Sequence, residues 1–299
     1  MNAKKIHTIS FLVCALLFSL SSCTGNGNKG NDEIDDVVGP NTDPSHVTKI
    51  NGRLFSIPSP VQTAHLIQNS GAKYNSKLLH NPNEVSKYST KVQRGLNLGV
   101  YGADLGYVNM YSQTQDAVVF LGACKKLADD LGVSGAFSPE LMKKFETHLG
   151  QTDSLLLFAG EAFRITDEFL QSNENNDVGS LVLAGGWIES LHFATNVYKT
   201  SPTDALKQRI GEQKFSIINL IKLLEAYSNG EDYGDLIESL YDLSTVFEKV
   251  EVNYEYAKPE IDTEKKLAVI NSSTSLSISE EQITEITQKV DNIRRNITE

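Results

Sequence analysis

Glu189 and His192 stand three residues apart, as Glu-x-x-His, inside a segment (178–199) whose apolar periodicity predicts a helix. On a helix that spacing places a carboxylate and an imidazole one turn apart on the same face. Di-iron bundles use the same spacing to bring the two groups to one metal ion. Leu181, Leu183, Ala184, Trp187, Ile188, Leu191, Ala194 and Tyr198 cover about half of this helix, and Val182, Phe193 and Val197 cover much of the rest. What remains is a strip of Gly185, Glu189, His192 and Asn196, with Asp104 as an acid on another segment that could face it. A di-iron site needs a second Glu-x-x-His and two further glutamates, and no second such motif occurs. The strip therefore has these readings: a candidate ligand or metal strip, a narrow solvent-facing edge, or a buried pair satisfied by hydrogen bonds. Trp187 is expected in the core.

Other chemistry leaves little trace. No phosphate loop, dinucleotide glycine fingerprint, zinc spacing or Gly-x-Ser-x-Gly elbow is present. Of the cysteines, Cys14 and Cys23 fall at the amino terminus, and Cys124 is alone on an apolar segment, where a thiol packs as a small hydrophobe. Among the histidines only His192 has a suggestive setting.

The first residues read as a targeting segment. Lys4 and Lys5 precede the apolar run ISFLVCALLFSL, too short for a comfortable membrane span. The run ends in Leu20-Ser21-Ser22-Cys23, which resembles the lipobox of bacterial lipoproteins. That resemblance implies a signal peptide over 1–22, cleavage before Cys23, and a covalent lipid on its thiol. Multiple acyl chains would anchor the chain stably at a membrane. Thr24, rather than aspartate, follows the cysteine, which by family analogy points to the outer membrane. The acidic group Asp32, Glu33, Asp35 and Asp36 resembles the surface-export signals of Bacteroidota-type envelope lipoproteins, although it stands farther from the cysteine. Both a periplasmic and a surface-facing orientation stay open. Residues 23–58 are rich in Gly, Asn and Asp and are expected to form a flexible tether. A chain of that length spans roughly 30–35 Å root-mean-square.

The elements that must position the strip are helical. Residues 88–111 carry Gly95, Gly99, Gly102 and Gly106 at steps of four, three and four, a single narrow stripe on a helix. Interior glycines cost about 1 kcal/mol each relative to alanine, so a helix that keeps four is expected to use them for close backbone approach. This helix is predicted to start near Glu84 or Ser86 and to be buried. The sequences FLGAC (120–124), LFAGE (157–161) and LAGGW (183–187) place small residues on three further helices, expected to pack on the glycine stripe.

Ser59-Pro60-Val61-Gln62 is a capping box that opens the folded region, and Gly71 and Gly132 are stops. A fifth helix is predicted over 154–171, one opened by Ser201-Pro202-Thr203-Asp204, which resembles a capping box with Asp in place of Glu, and running to Ser228, and one from 233 to about 250. Residues 251–278 read as an irregular connection, with a short extended piece at Leu267 to Ile270. Ser279 and Gln282 then open a final helix over 279–299. Its Ile283, Ile286, Val290, Ile293 and Ile297 form a coiled-coil-like seam that needs a partner, either the bundle itself or another chain.

Together these features predict an all-α fold, a compact multi-helix bundle of about eight or nine helices over 59–250, with an α-helical repeat array as the alternative. A formal charge of −11, or −13 once Lys4 and Lys5 leave with the leader, and no basic block weigh against nucleic acid as a partner. The expected function is an outer-membrane-anchored binding or scaffold component of the cell envelope, with the membrane and a protein as partners. No cofactor other than the lipid on Cys23 is expected, and no catalytic residue is assigned. The alternative is a metal-dependent or hydrolytic enzyme using Glu189 and His192.

Overall fold

A computed structural model describes residues 46–50, 53–57, 59–136, 138–148, 175–228, 233–262, 267–269 and 272–299. The leader, Cys23 and the predicted fifth helix lie outside the described residues. The fold is all-α, a compact helical bundle. In chain order the helices are α1 (Pro60–Asn69), α2 (Lys91–Met110), α3 (Thr114–Leu131), α4 (Pro139–His148), α5 (Asn176–Thr200), α6 (Asp204–Tyr227), α7 (Gly234–Glu248) and α8 (Glu280–Thr298). Short β-hairpins accompany them: β1 (His46–Ile50) with β2 (Arg53–Ile57), β3 (Glu251–Glu255) with β6 (Ser273–Ser277), and β4 (Glu260–Asp262) with β5 (Leu267–Val269), all antiparallel. No helix among the described residues is long and apolar enough to cross a membrane.

Side chains cap the starts of several helices. Thr90 accepts from the Gln93 amide at 3.1 Å and Gln93 accepts back from the Thr90 amide at 3.2 Å, so α2 starts at Lys91 and not at residues 84–86. The intervening Pro82–Lys87 forms a 3₁₀ turn capped by Asn81. Ser279 and Gln282 form the same reciprocal box on α8. Gly132 ends α3 with φ of 74°, the left-handed conformation glycine adopts freely.

Helix α5 is the axis. It crosses α2 most extensively and also touches α1, α6 and α8, which makes a bundle around a centre and not a linear array. The α2–α5 crossing is made by bare backbone. A Cβ on Gly185 would collide with the Leu96 carbonyl oxygen, and one on Gly99 with the Val182 carbonyl oxygen. Gly95 faces Leu181, whose Cβ would lie 2.8 Å from an added Cβ, and Gly106 faces Val61 of α1 at 3.2 Å. Gly102 corrects the expectation of a four-glycine packing stripe: it is exposed, and nothing lies within 4 Å of where its Cβ would stand. Its position departs from the crossing point just enough to open onto solvent. Gly122 of FLGAC likewise meets open space, while Ala123 and Cys124 beside it are buried against α2.

Two expected loops contain strands. Residues 46–57, assigned to the tether, pair as a hairpin, with Val47 opposite Ser56 and Lys49 opposite Leu54. Within 251–277, expected to be irregular apart from a short extended piece at 267–270, two antiparallel ladders form, and β5 falls on that piece. Glu255 pairs with Ser273 but Glu260 with Val269, so the outgoing strand carries four residues (256–259) against three (270–272). Pro259, which has no amide hydrogen to donate, stands between the two ladders. Alternating polar and apolar residues in 251–255 were the period-two signal for it.

Candidate functional site: a buried acid, base and guanidinium cluster

The polar strip of α5 is covered by α8. Ile283, Ile286, Val290, Ile293 and Ile297, the predicted seam, are all buried, against α5 and α7. Docking that seam brings Asp291 and Arg294, one turn apart on α8, onto Glu189 and His192, one turn apart on α5. Arg294 donates through Nε to Glu189 Oε2 at 2.5 Å and through Nη2 to Oε1 at 2.7 Å, a bidentate pair. His192 Nδ1 lies 2.7 Å from Asp291 Oδ1, which also accepts from Asn196 at 2.9 Å. The pairs run in opposite chain directions, so α5 and α8 are antiparallel. Near the other end Tyr198 donates to Glu280 at 2.8 Å.

Behind the ion pair sits Asp104 of α2, fully buried. Its Oδ2 accepts from the His80 amide at 3.3 Å, while its Oδ1 has no partner among the described residues that a carboxylate could use. Burial, and next the neighbouring Glu189 charge, push the Asp104 carboxyl well above the usual carboxylate range, against the opposing pull of Arg294 and the His80 amide. A proton on Oδ1 turns that atom into a donor, with Glu189 as the acceptor beside it. With that proton in place, the two carboxyls and the guanidinium make an electrically neutral buried triad. Neutrality matters because an unpaired charge in this interior costs several kcal/mol.

The lid of the triad is the 72–90 connection. Arg294 Nη2 also donates to the Leu78 carbonyl at 3.2 Å. The His80 ring stacks on Tyr101 at 5.2 Å, and its Nε2 lies 2.6 Å from Tyr88 Oη. Burial first, and then the Arg294 charge, lower the His80 imidazole to about 4, so it is neutral at neutral pH. Tyr88 Oη and Asn97 Nδ2 reach the last turn of α8, 3.3 Å from the Thr298 carbonyl and 2.6 Å from the Ile297 carbonyl. They satisfy carbonyls that have no partner within the helix. Asp291 is held below the ordinary carboxylate value; burial opposes this, but His192 and Asn196 outweigh it, with Lys199 at 3.9 Å.

The structure unites Asp104 with Glu189 of the strip and sets His192 and Asn196 apart, on Asp291. The carboxylate and imidazole of Glu-x-x-His do not converge on one point, because each is taken by a different residue of α8. Among the described residues no group of three or more His, Cys, Asp and Glu side chains is arranged to hold a metal ion. Sequence reasoning missed Arg294, Asp291 and His80. The first two stand one turn apart on a helix already marked as needing a partner, and that was the available signal. Trp187 is core, its Nε1 donating to Gln213 at 2.8 Å beside a cleft of about 10 Å³, room for roughly one water. The Cys124 thiol is buried, and burial pushes its pKa up. Comparison of this chain with known protein families, curated proteins and solved structures finds no match.

Proposed function

We propose that this chain is a lipoprotein anchored in the outer membrane through a lipid on Cys23, whose helical body binds or scaffolds a protein partner in the cell envelope. The observation that carries the reading over the enzymatic alternative is the bidentate Arg294–Glu189 pair. It occupies both oxygens of the carboxylate that a metal or a hydrolytic water would need, and Asp291 occupies the imidazole one turn away. The acidic and basic groups of the strip thus hold α8 in place. The lipobox-like Leu20-Ser21-Ser22-Cys23 supports the anchor.

Two measurements test the reading. Mass spectrometry of the protein isolated from its membrane should find an acylated amino-terminal cysteine, and Cys23→Ala should release the protein from the membrane fraction. Elemental analysis of the same preparation should find no stoichiometric metal. A metal present at one equivalent and lost on His192→Ala would instead favour the enzyme.

A further inference from the structure

The 251–277 hairpin carries exposed large apolar side chains in unusual concentration: Val252, Tyr254, Tyr256, Ile261 and Val269, with Tyr256 at 71% and Ile261 at 73% of full exposure. Two strands that expose such residues bury too little to hold themselves in water. The base of the arm is secured through β6, which lies along α6 with Leu276 packed over Gly211. Strand β3 is the outer strand, and all five of its residues are exposed. Among the described residues it pairs only with β6, so its outer edge faces no strand.

The two faces of β3 differ in kind. Val252 and Tyr254 stand opposite Leu276 and Thr274, so the apolar stripe that Leu276 anchors on α6 continues outward through them. Glu251, Asn253 and Glu255 stand opposite serines on the other face. Over 251–262 the outgoing strand has four carboxylate residues and one lysine, and the returning stretch 267–277 has no charge. A second copy of this chain, with its net charge of −11, would set acid against acid on such an edge. Charge complementarity selects a basic occupant. Beyond β3 the ladder ends and Pro259 follows, as edge strands are commonly blunted, and this limits the usable footprint to 251–255.

We infer that the outer edge of β3 is a docking strand for an extended, basic segment of a partner protein, which adds as a further strand with Lys or Arg beside Glu251 and Glu255 and apolar residues beside Val252 and Tyr254. Main-chain hydrogen bonds would give the affinity and the alternating side chains the selectivity. This inference rests on the binding reading and names the class of partner.

The test uses the purified full chain and two fluorescent heptapeptides, one alternating Lys and Val (KVKVKVK) and one alternating Glu and Val (EVEVEVE), followed by anisotropy. The basic peptide should bind saturably and the acidic one should not. The double variant Glu251→Lys, Glu255→Lys should weaken the basic peptide about tenfold, because two attractive cross-strand pairs become repulsive. Absence of binding by the basic peptide, equal binding by both peptides, or indifference to charge reversal overturns the inference. So does a concentration-dependent dimer that buries the arm. A chain acylated on Cys23 and free of metal that ignores both peptides loses this inference and keeps the binding reading. A metal-loaded chain whose metal leaves on His192→Ala loses the binding reading, whatever the peptides do.

Discussion

Helix α5 is held by bare backbone on one side and by charge on the other. Toward α2, Gly185 and Gly186 meet the main chain of Leu96 and Gly99. Toward α8, Glu189 and His192 meet Arg294 and Asp291. The first contact is steric and unforgiving, since the space for a side chain is filled by a carbonyl group. The second is electrostatic, and its cost appears only when one partner is removed and the other stays buried. One helix therefore shows how two contacts of similar importance fail in different ways.

The difference can be broken most severely at the backbone crossing. Gly185→Leu places a branched side chain against the Leu96 carbonyl, beyond the roughly 1–3 kcal/mol of ordinary overpacking, and no cooperative unfolding transition should survive in a urea titration. Breaking the charged side is graded. Arg294→Met leaves Glu189 buried without its guanidinium and should cost about 3–5 kcal/mol in the same titration. Adding Glu189→Leu should recover part of that loss, since paired removal spares the uncompensated charge. A single Arg294→Met variant as stable as the parent would remove the claim that α8 is held by this pair.

Asp104 sharpens the contrast through pH. Its folded-state carboxyl is raised above its ordinary value of 3.8, so the folded chain keeps a proton that the unfolded chain gives up. The associated stability is fully present below about pH 4 and is lost as pH rises through the raised value. Asp104→Asn, which keeps a donor without the titration, should match the parent in acid and exceed its stability at pH 8. Urea midpoints of the two proteins across pH check this, and parallel curves would show that Asp104 is ionised in the fold. His80 acts with the opposite sign. Its imidazole is lowered from 6.5 to about 4, so its share of stability is present above pH 6.5 and is lost as pH falls through about 4. His80→Gln should flatten that acid limb.

The smallest effect is expected at Gly102, on the same helix as the crossing glycines but facing open space. Gly102→Ala should raise stability, by up to about 1 kcal/mol, through helix propensity alone. Gly99→Ala, three residues earlier, should destabilise, because its methyl meets the Val182 carbonyl. Thermal melts of the two alanine variants, moving in opposite directions, measure how narrow the backbone contact is.

Much of the scaffold was legible. The Ser59-Pro60-Val61-Gln62 and Ser279-Gln282 boxes open α1 and α8, and Gly132 closes α3, because caps are local chemistry. The start of α2 was misplaced because a 3₁₀ turn over Pro82–Lys87 has side-chain caps much like those of an α-helix. The hairpin at 251–277 was read as irregular because charged and serine-rich residues obscure a short alternation. Glycine spacing was legible as a helix face, yet it could not distinguish Gly99, which is covered, from Gly102, which is not.

The amino-acid sequence by itself determined that the chain is helical, where the apolar seam of α8 runs, and which α5 residues stay polar, since these depend on periodicities a few residues long. Only the tertiary structure decided that Glu189 meets Arg294, that His192 meets Asp291, and that the Asp104 carboxyl beside Glu189 holds its proton more tightly than in the unfolded chain. Those partners lie about 100 residues apart in the chain. Their meeting depends on the register in which α8 docks, and the proton depends on how completely that docking excludes water.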